Sequence, residues 1–372
     1  MHFHFDGVND AFRGLVKGVH TGVIPTRRSP SRVGDVLQID EPVIITYAQP
    51  TQRVLFNAAR DCNPFFHLYE ALWMLAGRND IAPLVWYSSG YAAQVQDGDS
   101  PTANGAYGYR WRHAARDYED QALNRPGIDQ LATIADQLKR KPESRRAVLA
   151  MWSVEDDLLK IDDSKDVCCN LSACFSIRTE KDAVDSGGVT PWMTGIDVPV
   201  EHPLLDMTVF NRSNDLVWGA LGANIVHFSM LQEYLAAAIG VAVGVYHQIS
   251  NNLHVYVDRW KPEQWLTVDR EMYYPRVFPL VAQPERFLME AGLLVEENHS
   301  GKGISAGYME PFLDLVALPM CQAFACHKQR NYRGAISWLE RMAECDWKVV
   351  AIDWIERRQQ TWEAKHESAS VE

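Results

Sequence analysis

Long apolar runs are missing. No stretch of about twenty consecutive apolar residues occurs, so no membrane-spanning helix is expected. The opening residues, MHFHFDGVND, have neither a basic region nor an apolar stretch, so no signal peptide is expected either. Internal repeats and low-complexity segments are absent, which argues against solenoid or disordered architectures. Cysteine is sparse. The seven thiols are odd in number and scattered, which fits a reducing cytoplasm better than a disulfide framework. Positive charge is in deficit, 36 Lys and Arg against 48 Asp and Glu, for a net charge of −12. That balance argues against a nonspecific grip on a nucleic-acid backbone, so neither nucleic acid nor membrane is expected as a partner. A small anionic ligand needs only a local arginine cluster, and two occur, in ESRRAVLAMW and FNRSNDLVWG.

What is present is an ordinary globular composition. The 372 residues are 47% hydrophobic and 23% charged, enough for a sizeable core in one large domain or two smaller ones. NPFFHLYEALWMLAG predicts a helix: Asn63 can cap it, Pro64 suits its first turn, and Gly77 can end it. Phe65, Leu68, Leu72 and Leu75 give it an apolar face beside Trp73. NIVHFSMLQEYLAAAIG predicts another, with Ile225, Phe228, Leu231, Leu235 and Ile239 at helical spacing and Gly240 at the stop. RRAVLAMW, ACFSIR and LLDMTVF predict strands; in the last, Leu205, Met207 and Val209 share one face while Thr208 and Phe210 share the other. The Gly, Pro and Asp content of TEKDAVDSGGVTPWMTGIDVPVEH predicts a long loop. GAISWLERMAECDWKVVAIDWIERR predicts one or two amphipathic helices, and QTWEAKHESASVE a solvated or frayed tail. Helices mixed with strands in no βαβ rhythm predict an α+β fold.

The chemistry centres on DVCCNLSACFSIR. Cys168 and Cys169 could be metal ligands, a vicinal disulfide, a buried packing pair or a nucleophile. Zinc asks for about four ligands in spaced pairs. The nearest second group is Cys321, Cys326 and His327 in CQAFACH, at no convincing distance, so no metal is expected. A vicinal disulfide would be strained. Burial as a small hydrophobe is the plain reading. A nucleophile needs nearby positive charge to become a thiolate. Arg145 and Arg146 head one strand and Arg212 follows another, so their guanidinium groups can converge on phosphate oxygens; otherwise they are solvated. Asn224 is either the cap of the following helix or a carboxamide whose acceptor and donors match a uracil edge. Glu70 is either a boundary residue facing water or a buried acid with a raised pKa, suited to proton transfer. His254 and Tyr256 in NNLHVY share a face if the segment is a strand, as a half-buried polar pair or as two ligand-facing groups.

Six segments, in order, resemble the thymidylate synthase family, which includes the pyrimidine nucleotide hydroxymethylases. HLYEALWMLAG resembles its helix with Glu and Trp three apart, and GAYGYRWR its Tyr-Gly-x-x-Trp-Arg segment. SRRAVLAMW resembles its twin-arginine strand, and VCCNLSACF its nucleophile segment. NRSNDLVWGALGANI resembles its Arg-Ser-x-Asp…Gly…Asn segment, and HVY the His-x-Tyr thirty residues after that Asn. The likeness covers roughly residues 28–260. It implies an α+β fold in which a mixed sheet forms a homodimer interface and helices pack on its other side. It implies a catalytic domain over 1–325, with an insertion near 179–203, and a helical C-terminal extension over 326–372. The implied reaction is one-carbon transfer from methylenetetrahydrofolate to C5 of deoxyuridylate, with no metal. Thiolate addition at C6 makes C5 a nucleophile. Cys169 falls at the nucleophile, with Cys168 in the place of the usual proline; a register shift of one would exchange them.

Residue by residue, the resemblance implies that Arg212 and Ser213 bind phosphate, joined by Arg145 and Arg146 reaching across from a partner subunit. Arg32 is the further phosphate arginine, with Arg28 as the alternative. Asn224 reads the uracil edge, and His254 and Tyr256 hold the deoxyribose hydroxyl. Glu70 organises proton transfer, Tyr107 assists removal of the C5 proton, Asp215 contacts the folate pterin and Gly219 lines that site. Cytosine-acting relatives carry an aspartate at the position of Asn224, which favours deoxyuridylate here.

Several departures from the family pattern stand out, the last two of which, at Trp86 and at the C-terminus, bear on the product. Asn170 replaces the family's histidine, Cys174 its glutamine, and one extra residue lies between Gly219 and Asn224. Trp86 is too far upstream to match the tryptophan-rich segment, and HESASVE does not resemble the short apolar closing C-terminus. A methyl product needs hydride transfer with water excluded; if water reaches the exocyclic methylene, the product is hydroxymethyl. The commoner family activity tips this reading to thymidylate. The runner-up is a deoxyuridylate (or, behind it, deoxycytidylate) 5-hydroxymethylase of a virus with modified DNA, acting in the host cytoplasm. A non-catalytic nucleotide-binding relative stands further off.

Overall fold

In this computed structural model, residues 1–114, 127–179, 203–267, 277–299 and 307–369 are described. Among the described residues, ten strands form two sheets. β1 (His2–Phe5), β4 (Val43–Tyr47), β9 (Ala242–Ser250), β7 (Leu204–Asn211), β6 (Asn170–Arg178) and β5 (Val148–Ala150) lie in that spatial order in a mixed sheet. Within it β1–β4 and β9–β7 are parallel and the other neighbours antiparallel. The second sheet orders β2 (Thr26–Ser31), β3 (Gly34–Ile39), β10 (Leu253–Tyr256) and β8 (Asn214–Asp215).

The α+β reading therefore holds, and the alternation in LLDMTVF appears as expected. Leu205, Met207 and Val209 are fully buried, whereas Thr208 and Phe210 on the other face are half-buried. RRAVLAMW is a correction. Only Val148–Ala150 is strand, at the sheet's edge, and Arg145 and Arg146 precede it in exposed, irregular chain. The expected loop falls almost wholly on residues 180–202, outside the described residues.

Helices pack on the buried face. α1 is Val8–His20, α2 Pro64–Leu75, α3 Ala82–Tyr87, α4 Tyr107–Arg112 and α5 Gln130–Arg140. α6 is Asn224–Ile239, α7 Pro284–Glu297, α8 Leu318–Lys328, α9 Tyr332–Glu340 and α10 Asp346–Ala369. α2 starts and stops where its sequence says: the Asn63 side chain accepts the Phe66 N–H at 3.1 Å, and Gly77 has φ +71°. α6 ends on Gly240 with φ +90°.

α2 departs from the one-sided pattern, because Tyr69, Glu70, Ala71, Trp73 and Met74 are buried as well. The C-terminal part of the chain packs against α2. Tyr69 Oη donates to Val295 O at 2.6 Å, and Phe65 lies 5.4 Å from both Phe324 and Trp354, ring to ring. α8 runs across position 325, and one buried apolar cluster extends from Val8 to Ile355. QTWEAKHESASVE is solvated as expected, with all of residues 360–366 exposed except the half-buried Trp362, but it is not frayed, since α10 stays helical through Ala369; residues 370–372 lie outside the described residues.

Candidate active site

The nucleophile loop is built from buried polar groups. Asp157, fully buried, forms an ion pair with Arg110 and accepts the backbone N–H of Ser153 at 2.9 Å and of Cys168 at 3.0 Å. Burial alone would raise its carboxyl; the Arg110 pair and these donors hold it below the usual range. From the other side Arg212 Nε donates to Cys168 O at 2.8 Å and Arg212 Nη2 to Val167 O at 3.0 Å. Tyr107, at the start of α4, accepts the Cys169 N–H at 3.0 Å and the Asn170 N–H at 3.3 Å.

These contacts separate the two cysteines. Cys168 is 1% exposed, and burial pushes its thiol far above the ordinary value. Cys169 is only half-buried. Burial raises its thiol too, and Asp166 and Asp157 add to the rise, while Arg212 and Arg32 oppose it and favour the thiolate. Arg32 sits in the β2–β3 turn with Nη2 donating to Lys165 O at 3.2 Å, while the alternative, Arg28, is engaged by Asp35 at 2.7 Å. All seven thiols are unpaired, and among the described residues no three His, Cys, Asp or Glu side chains converge as metal ligands.

A second wall rises from the small sheet. β10 pairs with β8, setting His254 opposite Asp215. The His254 and Tyr256 rings share a face, 5.4 Å apart and nearly perpendicular. Asp215 caps the next segment: Oδ1 accepts the N–H groups of Val217 at 2.7 Å and Trp218 at 2.6 Å, while Oδ2 is buried without a partner among the described residues. Burial raises the Asp215 carboxyl and lowers His254, and the two attract each other against both shifts. Tyr256 lies within electrostatic reach of Asp215 and Cys169, which brings the two walls together.

Leu216–Ala223 is π-helical. A π turn absorbs one additional residue, which accounts for the extra residue before Asn224. The cap of α6 is Ala223, not Asn224, whose backbone is already helical. Asn224 Nδ2 instead donates to Asn214 Oδ1 at 3.1 Å. A Cβ on Gly219 would stand 2.4 Å from that same Asn214 oxygen, so only glycine fits beside the pair. Ser213 is half-buried in the turn between β7 and β8.

Glu70 is buried on α2, with Oε2 3.0 Å from His227 Nε2 of α6, ion-pair distance without hydrogen-bond alignment. Arg145 and Arg146 are not brought to this site within one chain. Both are exposed, and neither is among the charges acting on Cys169.

Reading from sequence missed three groups. Arg60, 4% exposed, stacks on Trp218 at 3.4 Å; its Nη2 donates to Val217 O, while Nε and Nη1 are buried without partners among the described residues. Asp157 and Asp166 belong to the nucleophile loop. The i, i+3 spacing of Asp166 and Cys169 carried no signal, because a loop has no fixed side-chain period. Trp86, on α3, lies under Lys328 of α8, with the ammonium 5.1 Å from its ring.

The thymidylate synthase family profile matches residues 57–283. The chain is 37% identical over 356 residues to the deoxyuridylate hydroxymethyltransferase of Pseudomonas phage M6, covering 91% of this chain and 90% of that one. It is 36% identical over 217 residues to the deoxyuridylate hydroxymethyltransferase of Bacillus phage SP01, covering 58% of this chain and 50% of that one. To the thymidylate synthase of Homo sapiens it is 24% identical over 225 residues, covering 57% of this chain and 62% of that one.

Proposed function

Since the chain belongs to the thymidylate synthase family of one-carbon transferases, we propose that it transfers a one-carbon unit from methylenetetrahydrofolate to C5 of deoxyuridylate and releases 5-hydroxymethyldeoxyuridylate. The observation that carries the product is the 37% identity over 91% of the chain to a phage deoxyuridylate hydroxymethyltransferase, against 24% over 57% for human thymidylate synthase. This reverses the sequence-based preference for a methyl product.

In this reading the Cys169 thiolate adds to C6, favoured by Arg212 and Arg32. Arg32, Arg212 and Ser213 bind the phosphate. Arg145 and Arg146, exposed at the sheet edge, complete the site of a partner subunit, and the half-buried face carrying Thr208, Phe210 and His247 is the dimer interface. Asn224, its amide held by Asn214, reads the uracil edge, and His254 and Tyr256 hold the sugar hydroxyl. Glu70 and Tyr107 serve proton transfer. Asp215, Gly219 and the unpartnered donors of Arg60 face the folate. Water then adds to the C5 methylene. Its oxygen bonds to carbon, the electron pair moves onto the C4 oxygen, and re-formation of the C5–C6 double bond expels Cys169. The sum is deoxyuridylate, methylenetetrahydrofolate and water giving hydroxymethyldeoxyuridylate and tetrahydrofolate, with no change of oxidation state.

Trapping with 5-fluorodeoxyuridylate tests the covalent step. We expect a stable adduct on the Cys169 peptide that requires methylenetetrahydrofolate. Absence of an adduct, or one on Cys168, contradicts the reading.

A further inference from the structure

We propose that Asp166 is the base that takes the proton from the water attacking the C5 methylene. This deepens the proposed function and rests on it. Asp166 lies three residues before Cys169, and its Oδ2 accepts the Gly105 N–H at 2.7 Å. Gly105 lies two residues before Tyr107, whose hydroxyl accepts the Cys169 N–H. The aspartate, the tyrosine and the nucleophile are thus tied into one ring of contacts. A Cβ on Gly105 would meet Asp166 Oδ1 at 2.7 Å, so glycine admits the carboxylate at this spot.

The groups around Asp166 are those of the proposed chemistry. It acts electrostatically on Cys169 and on the hydroxyls of Tyr107 and Tyr91, and Tyr91 in turn feels Glu70. The carboxylate accepts one hydrogen bond, from a neutral donor, and forms no ion pair among the described residues. Arg110, the cation in range, is committed to Asp157 and to Asn104 O. A partly buried carboxylate left without a cation is costly for the fold, and such groups cluster at working sites. Burial raises the carboxyl to about 6, with Asp97 and Asp157 adding to the rise and the Gly105 N–H and Arg110 opposing it. At neutral pH the group is therefore ionised and can accept a proton.

The step balances. Water forms the C–O bond, its proton passes to Asp166, and the electron pair enters the ring and leaves with the Cys169 sulfur. Asp166→Asn keeps an acceptor for Gly105 but cannot take a proton. We expect Asp166→Asn to form the fluorodeoxyuridylate adduct and to release tritium from C5-labelled deoxyuridylate as the wild type does. Hydroxymethyl formation should fall by about a hundredfold or more, the range of general base catalysis. Added 2-mercaptoethanol, which can attack the same methylene without that base at alkaline pH, should divert the variant to the thioether in larger proportion than the wild type. Equal hydroxymethyl rates in variant and wild type overturn the assignment of Asp166, as does parallel loss of the adduct in the variant. A wild type that makes a methyl product and dihydrofolate overturns the proposed function, and this inference with it.

Discussion

At the scale of the residue, the two adjacent cysteines differ by environment. Cys168 is sealed between Asp157 and the Arg212 contact, while Cys169 keeps access and positive charge. Cys169→Ala should abolish adduct formation and leave thermal unfolding unchanged, whereas Cys168→Ala should keep adduct formation at a modest loss of stability. A Cys168→Ala protein that folds yet forms no adduct would reverse the assignment. Asn224 gives a second expectation. Its amide donates to Asn214 Oδ1, so Asn224→Asp sets oxygen against oxygen beside Gly219. An unpaired buried polar group costs about 1–3 kcal/mol, so kcat/KM for deoxyuridylate should fall by roughly one to two orders of magnitude. An unchanged value would remove Asn224 from the uracil edge. Much at this scale was legible, because Cys169, Asp215, His254 and Tyr256 stand in segments with recognisable order. Arg60 and Asp166 were not. Their significance comes from a guanidinium with two donors unpartnered, and a carboxylate with no ion pair, among the described residues, properties of the surroundings and not of the spacing.

At the scale of the element, period and caps gave α2 and α6 with their ends, since Asn63, Gly77 and Gly240 act locally. The π-helical winding of Leu216–Ala223 was visible only as an extra residue, because one insertion can go into a loop or a helix. The C-terminal helix α10 had no functional reading from sequence. In the fold, Arg357 and Arg358 both grip Asp61, Arg358 Nη2 at 2.7 Å, and Asp61 is held at φ +56° immediately after Arg60. Partly exposed pairs of this kind contribute about 1 kcal/mol or less to stability. They hold the residue next to Arg60, which stacks on Trp218, so their loss is expected to loosen that stacking. The double variant Arg357→Ala, Arg358→Ala should raise KM for methylenetetrahydrofolate by up to about tenfold, equivalent to about 1.4 kcal/mol, with kcat for the bound complex little changed. A fall in kcat at unaltered KM would contradict that role.

At the scale of the whole molecule, the proposed dimer decides which arginines meet the phosphate. Arg145 and Arg146 read as part of a phosphate site, yet one chain leaves them exposed, in irregular chain ahead of β5. If they serve a partner, an inactive Cys169→Ala protein and a weak Arg145→Ala, Arg146→Ala protein should regain activity when refolded together. The mixed dimer then carries one site with its cysteine and both arginines. No gain in a mixture that sedimentation shows to be dimeric would place those arginines elsewhere. The central claim, however, concerns the product. The purified protein should be given deoxyuridylate and methylenetetrahydrofolate, the nucleotide weighed by mass spectrometry and the folate followed in the same tube. The account expects a hydroxymethyl gain with tetrahydrofolate released; a methyl gain with matching dihydrofolate would contradict it.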